Sequence, residues 1–207
     1  MNEPDVVVER GDVREGAYRR RVTEVYVRSF AADFVAFSKD PEKLADAFEH
    51  MLLLDRFYVA FVDGVPAGLA SLTQGDETLF APRWPEIRRH LGLVRGLLAY
   101  TVIRSWFMRP TDDARAGRGE IGFVATEPAY QGRGVATVLL RRLVSLPGYD
   151  EFVLEDIKDT NSAALHVYQK VGFTLYKRRK VRMARRVGFS ELMSMRLARS
   201  AEKSAAH

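Results

Sequence analysis

From Gly119 to Leu140 the chain reads Gly-Glu-Ile-Gly-Phe-Val-Ala-Thr-Glu-Pro-Ala-Tyr-Gln-Gly-Arg-Gly-Val-Ala-Thr-Val-Leu-Leu. No other stretch restricts the fold as much. It spells a strand, a short proline-containing loop, a glycine-rich turn and then an apolar helix. Gly132 and Gly134 have no side chain to block close approach, so the backbone N–H groups of this turn are able to face a phosphate. The helix opening beside them adds unpaired N–H groups and a positive dipole end. Such a turn is a receptor for a pyrophosphate, and the first question is whose.

Composition sets the outer limits. A chain of 207 residues, 47% hydrophobic and 29% charged, fits one globular domain, or one domain with an insertion. The absence of cysteine excludes a disulfide framework and thiolate metal sites, and is compatible with a reducing cytoplasm. The acidic start Met1-Asn2-Glu3-Pro4-Asp5 has no apolar core and reads as no signal peptide. The most apolar run, Leu91 to Met108, is interrupted by Arg95 and Arg104, which argues against a membrane span. A formal charge of +5 suits an anionic ligand and a plain basic surface equally well.

Periodicity and punctuation predict the remaining elements. Val6 to Arg10 reads as a strand and Glu15 to Phe30 as a helix with Tyr18, Val22, Val25 and Phe30 inward. Asp40-Pro41 marks a helix start, leading into Leu44, Phe48, Met51 and Leu52. Phe57 to Val62 and Ala67 to Thr73 are paired strands across an Asp63-Gly64 turn. Residues 78–119 form a long connection with a helix from about Pro85 to Met108, apolar over most of its circumference and therefore expected to be buried or to meet a partner. Thr111 to Gly119 is expected to be a mobile loop. A strand at Phe152 to Asp156 follows. Next comes a helix capped by the Asp159-Thr160-Asn161-Ser162 segment and stopped at Gly172. Strands at Phe173 to Arg182 and Phe189 to Leu197 close the fold, and the tail from Ser200 is expected to be disordered.

Three kinds of phosphate-binding turn compete for Gly132-x-Gly134. A Walker A loop needs a Lys-Ser/Thr pair after its second glycine, and Val135-Ala136 stands there instead. A Rossmann fingerprint has Glu155 at a suitable distance, but Thr137 replaces the third glycine and Pro128 lies between strand and turn. The third reading rests on two motifs. Gln131-Gly-Arg-Gly-Val-Ala136 matches a Gln/Arg-x-x-Gly-x-Gly/Ala signature. Asn161-Ser-Ala-Ala-Leu-His-Val-Tyr168-Gln-Lys-Val-Gly172-Phe173 matches Asn-x-x-Ala-x-x-Leu-Tyr-x-Lys-x-Gly-Phe, with Val167 in place of leucine. In both, the chain resembles the GNAT family of N-acetyltransferases, specifically from about Glu120 to Phe173 and elsewhere only in element order. The resemblance implies an α/β (α+β) fold, with a mixed, mostly antiparallel central sheet flanked by helices. It implies one acetyltransferase domain over residues 1–199, with the helical insertion of about 78–119 placed before the cofactor-binding strand.

The resemblance also implies acyl transfer from acetyl-CoA to an amine. Family members hold the pyrophosphate on the glycine turn, here Gln131, Gly132, Arg133, Gly134, Val135, Ala136 and Thr137. They pair the pantetheine arm with the preceding strand, here Val124, Ala125 and Thr126. Pantetheine amides are able to extend a strand edge, and Arg133 offers a charge-assisted contact or is a solvated turn residue. Tyr168 stands at the family's general acid, since the departing thiolate needs a donor and a phenol is neutral at working pH. Its alternative is a core tyrosine. Asn161 caps its helix or touches the cofactor, and the two are compatible. Glu120 stands eleven residues ahead of Gln131, where histone-acetylating members carry their base. Glu155 and Asp156 are its rivals, and a water relay is a further alternative.

With no cysteine, no Gly-x-Ser-x-Gly elbow and four scattered histidines, neither a covalent nucleophile nor a metal site is expected. Direct attack of the amine on the thioester is the expected route. The acceptor stays open, either a small-molecule amine or a protein amine. The basic run Lys177-Arg-Arg-Lys-Val-Arg182 and Arg185-Arg186 reads as a solvated edge strand. Without interleaved aromatics it argues against nucleic acid. The insertion helix and the closing strands are the surfaces open to a homodimer. Trp84, Tyr100, Trp106 and Phe107 of the insertion offer apolar surface to an acceptor. The competing function is a non-catalytic acyl-CoA-binding sensor or interaction module.

Overall fold

A computed structural model describes residues 6–14, 16–106, 115–181 and 188–199. Its strands are β1 (Val6–Arg10), β2 (Phe57–Val62), β3 (Val65–Gln74), β4 (Arg118–Thr126), β5 (Glu151–Lys158), β6 (Thr174–Lys180) and β7 (Glu191–Ala198). They form a seven-stranded sheet in the order β1-β2-β3-β4-β5-β7-β6. Neighbours run antiparallel except β4 and β5, which are parallel. The two-residue connection between β2 and β3 is Asp63-Gly64, with φ of 50° and 75°. Two consecutive positive φ values match the right-handed twist of a tight hairpin, which is why Asp-Gly is favoured there.

The helices are α1 (Ala17–Ser29), α2 (Ala31–Phe34), α3 (Pro41–Phe48), α4 (Trp84–Trp106), α5 (Val135–Val144) and α6 (Ser162–Val171). They divide between the two faces of the sheet and give two cores. Under α1, α3 and α4 lie Val22, Tyr26, Phe34, Phe48, Phe57, Val59, Leu69, Phe80 and Ile87. Under α5 and α6 lie Leu72, Ile121, Leu139, Leu140, Leu143, Phe152, Leu154, Phe173 and Met195. Alternation along the strands produces this division. On β4 and β5, Gly119, Ile121, Phe152 and Leu154 belong to the α5–α6 face, whereas Glu120 and Val153, paired in register, belong to the other. Asp40 caps α3 as expected, its side chain accepting from the N–H groups of Glu42 at 3.0 Å and Lys43 at 3.3 Å.

The insertion departs from the expected single helix. A straight α-helix would hold residues 84 and 100 about 24 Å apart. Instead the rings of Trp84 and Tyr100 lie 5.7 Å apart, and a Cβ built on Gly96 would sit 3.3 Å from the Cα of Arg88. The chain reverses at Gly92, whose φ of 76° and ψ of −175° are non-helical. Thus α4 is a hairpin of two arms, 84–91 and 93–106, packed side by side with Gly96 at their closest approach. Periodicity did not reveal the reversal because glycine in an apolar helical pattern is weak punctuation. The insertion is also only half buried: Ile87, Leu91, Ala99 and Ile103 enter the core, while Leu93, Val94, Leu97 and Leu98 are exposed.

One further expectation changes. The anticipated loop from Thr111 to Gly119 is shorter, because Arg118 and Gly119 already belong to β4. Its residues 111–114 lie outside the described residues, as do Phe107, Met108, Arg182, Arg185, Arg186 and the tail from Ser200. The basic strand does occupy the edge of the sheet as β6. Among the described residues no helix is long and apolar enough to cross a membrane.

The ψ of −175° at a positive φ is nearly confined to glycine, so a side chain at position 92 strains the hairpin by about 1–3 kcal/mol. Gly92→Ala is expected to lower the urea unfolding free energy by that amount. A change within about 0.5 kcal/mol, the range of an ordinary surface substitution, would show that the reversal does not depend on this residue.

Candidate functional site

The centre of the sheet opens at one point. β4 stays paired to β3 as far as Gly68 with Thr126. Its parallel ladder with β5 has three pairs: Arg118 with Glu151, Gly119 with Phe152 and Glu120 with Val153. Beyond Val153, β5 continues with β7 as far as Lys158 opposite Leu192. Past Glu120 the two central strands therefore part, and one edge of β4 from Ile121 to Thr126 has no strand beside it among the described residues. Each strand is bulged just past this point. On β4 the register slips between Leu69 and Ser71, accommodating Phe123 and Val124. On β5 it slips between Leu154 and Ile157, accommodating Glu155 and Asp156.

Both bulges hold a non-glycine residue at positive φ, Phe123 at 48° and Asp156 at 52°. Such backbone costs about 1–3 kcal/mol and persists only where its surroundings over-determine it. The surroundings of Phe123 are visible. Its ring meets those of Phe30 at 5.4 Å, Phe80 at 5.5 Å and Tyr26 at 5.6 Å. Asp156 is held by Arg179, whose Nη2 lies 3.0 Å from each carboxylate oxygen.

β4 ends at Thr126, and one 3-10 turn at Pro128–Tyr130 joins it to the glycine turn. Gln131 donates from Nε2 to the backbone oxygen of Thr126 at 3.1 Å, tying the turn to the end of the strand. Gly132 and Gly134 have φ of 74° and 80°, and a Cβ on either would meet nothing within 4 Å. The backbone demands glycine and the space in front is open. Gly134 is also the N-cap of α5, with no side-chain cap, so the first-turn N–H groups of Val135, Ala136 and Thr137 take no capping side chain. The side chains of Val135 and Thr137 point inward, 1% and 8% exposed, which fixes the helix under its own amides. Arg133 is exposed with its guanidinium 5.6 Å from the Tyr130 ring centre. A glycine turn, an uncapped helix N-terminus and a free strand edge in series fit an extended ligand with phosphates at one end and amides along its length.

Glu120 and Tyr168 belong to opposite faces of the sheet, and Glu120 alone is in the ladder that ends at the opening. Glu120 occupies the last parallel pair before the strands part and also pairs with Thr73 of β3. Tyr168, on α6, is buried in the α5–α6 core at 6% exposure and packs edge-on to Phe173 at 6.4 Å. Burial pushes its hydroxyl up to about 12, so the phenol is neutral throughout the physiological range. No hydrogen bond joins Tyr168 to Glu120. Asn161 acts as the cap of α6, accepting from the N–H of Ala164 at 3.2 Å.

Several residues in the site were not picked out by pattern. Arg118, 9% exposed, donates to Glu155 at 2.9 Å and to Tyr176 at 3.1 Å, and the Tyr176 hydroxyl donates to the same Glu155 oxygen. Burial first, and then that carboxylate, raise the Tyr176 hydroxyl well above the ordinary tyrosine value. Glu155 is thus engaged in a structural network at the closed end of the opening. At the open end, Arg28 of α1 reaches Glu127, just past β4, at 2.7 Å. Asp33 of α2 accepts from Lys158, the last residue of β5, at 3.2 Å. The α1–α2 segment is therefore tied to both lips. These pairs are 99 and 125 residues apart in sequence, and no local signal points to them.

The sequence profile of the acetyltransferase (GNAT) family matches residues 20–173. A curated relative, the N-alpha-acetyltransferase RimI of Mycobacterium tuberculosis, is 41% identical over 54 residues, which is 26% of this chain and only 34% of that protein. Among solved structures, an N-acetyltransferase from Staphylococcus aureus superposes with a TM-score of 0.63 at 19% identity, covering 92% of this chain and 100% of its own. The yncA protein of Salmonella typhimurium, solved with its cofactor acetyl-CoA, gives 0.55 at 20% identity, covering 97% and 98%. At these identities the structural likenesses establish the fold: a seven-stranded, mostly antiparallel sheet with flanking helices. With the profile covering most of its length, the chain belongs to the acetyltransferase (GNAT) family.

Proposed function

We propose that this chain transfers an acetyl group from acetyl-CoA to a primary amine by direct attack of the amine on the thioester. One observation carries the reading: the free edge of β4 is followed, after one 3-10 turn at Pro128–Tyr130, by an open glycine turn at an uncapped helix N-terminus. The backbone N–H groups from Gln131 to Thr137 would take the pyrophosphate, with Arg133 beside them. The backbone of Val124, Ala125 and Thr126 would pair with the pantetheine amides. When bound, acetyl-CoA supplies the activated acyl group.

The rest of the chemistry belongs to side chains. An amine arrives mostly as ammonium and needs to lose a proton before it has a lone pair to attack with. Glu120 is assigned that proton, because it stands in the last parallel pair before β4 and β5 separate. Tyr168 is assigned the proton or hydrogen bond for the departing sulfur. Its buried hydroxyl is held neutral, as a donor must be. Asn161 supports Tyr168 by capping α6. The unit that does this is read as residues 1–199, with an insertion from about residue 78 that ends where β4 begins at Arg118. The partial likeness to RimI makes the α-amine of a peptide the first acceptor class to test, ahead of small-molecule amines.

The test is a thermal-shift titration with acetyl-CoA, followed by free-thiol release across short peptides and small amines. Stabilisation together with thiol release on at least one amine is expected. Stabilisation without turnover on any acceptor would point to an acyl-CoA sensor, and no stabilisation would remove both readings.

Tyr168→Phe is expected to lower kcat by about a hundredfold or more, the usual share of a general acid, with CoA affinity unchanged. Unchanged turnover would take Tyr168 out of the mechanism. Glu120→Gln is expected to lower kcat/KM most at the acid end of the profile, where the acceptor is almost wholly ammonium. An equal loss at every pH would assign Glu120 a positioning role instead. Because Tyr168 ionises only near 12, wild-type kcat/KM is expected to show no falling limb from this residue below about pH 10, the ordinary tyrosine value. A limb there that vanishes in Tyr168→Phe would contradict the raised value while keeping Tyr168 as the proton donor.

A further inference from the structure

We infer that the second arm of α4 docks on the surface of an anionic lipid membrane, lying on it without crossing it. Ten large hydrophobic residues are exposed among the described residues, and four of them, Leu93, Val94, Leu97 and Leu98, fall within six consecutive positions. The other six are scattered singly, as on any soluble protein. The four are 46% to 79% exposed. Their spacing (i, i+1, i+4, i+5) puts them on one side of the helix. The arm is packed the opposite way round from an ordinary surface helix. Its small residues Gly96 and Ala99, with Ile103, turn inward, and Gly96 lets it lie directly against Arg88. Its large aliphatic residues face out, beginning at the hairpin tip immediately after Gly92.

The charge around this face selects the occupant. Between residues 81 and 106 the chain carries Arg83, Arg88, Arg89, Arg95 and Arg104 against one acid, Glu86. Arg88 and Arg95 are exposed and have no hydrogen bond or ion pair among the described residues. Arg89 meets Glu86 only at 3.5 Å while 73% exposed. Leucine and valine set among arginines on an exposed helix match an interface of acyl chains beneath anionic headgroups. A second copy fits less well. In a two-fold contact the same patch meets itself, bringing together two copies of this segment, each with five arginines against one acid, which costs binding free energy. The arm is too short and too charged to span, which leaves it in the plane of the surface.

The experiment is co-sedimentation of the full chain with unilamellar vesicles of phosphatidylcholine alone or mixed with phosphatidylglycerol, at low and at physiological salt. Pelleting with the anionic vesicles, weakened by salt and negligible with phosphatidylcholine alone, is the expected result. Val94→Glu with Leu97→Glu, and separately Arg88→Glu with Arg95→Glu, are each expected to lower the partition coefficient at least tenfold. The milder Val94→Ser should give an intermediate loss with an unchanged unfolding midpoint. All these positions are exposed and lie outside the acyl-transfer site, so lipid-free turnover should not move. Three results would overturn the proposal: no pelleting with anionic vesicles, equal pelleting of wild type and Val94→Glu/Leu97→Glu, or a lipid-independent dimer in sedimentation velocity that this double variant abolishes.

Discussion

The parallel ladder between β4 and β5 ends after three residue pairs, and the working part of the molecule is arranged around that ending. A parallel sheet buried on both faces would ordinarily run on, since each unpaired backbone group costs free energy. Here the two strands diverge because each carries a bulge with a residue at positive φ, Phe123 on one and Asp156 on the other. The divergence leaves β4 with hydrogen-bonding capacity on one edge and leads that edge to the glycine turn. Edges of this kind are normally covered. Under the proposed function, the pantetheine arm of acetyl-CoA would take the place of a strand at this edge.

The surrounding structure keeps this opening in shape. On one side the aromatic cluster of Tyr26, Phe30, Phe80 and Phe123 fixes the β4 bulge. On the other, α5 and α6 pack their apolar faces under the strands, with Tyr168 buried among them. The Arg118–Glu155–Tyr176 network closes one end, and the Arg28–Glu127 and Lys158–Asp33 pairs tie α1–α2 to the other. Exposed ion pairs of the second kind contribute about 0–1 kcal/mol each. Their consequence is placement of the α1–α2 segment over the gap more than stability of the fold.

Much of this was legible without coordinates. The glycine turn, the capped helix start at Asp40, the Asp63-Gly64 hairpin and the Asn161-to-Gly172 helix are encoded by residues within a few positions of one another, so local chemistry exposes them. The divergence of β4 from β5 is not local. It depends on bulges that two apolar strands disguise, because extra residues in a strand leave its composition unchanged. The reversal at Gly92 was hidden for a similar reason, since an apolar run with one glycine reads as one helix until its ends are found in contact. Glu155, like Asp156, was a rival to Glu120 as the base on sequence position. Only the fold shows that Arg118 and Tyr176 engage it, through partners 37 and 21 residues away.

On the proposed function, an acyl-CoA occupies the gap between β4 and β5 as an added strand, with its phosphates on the turn. Amide hydrogen exchange with and without acetyl-CoA tests it at the residues concerned. Slowed exchange confined chiefly to the backbone of Val124 to Thr126 and Gly132 to Thr137 is the predicted result. Protection that spares both segments, or that appears on the outer strands instead, would contradict the account.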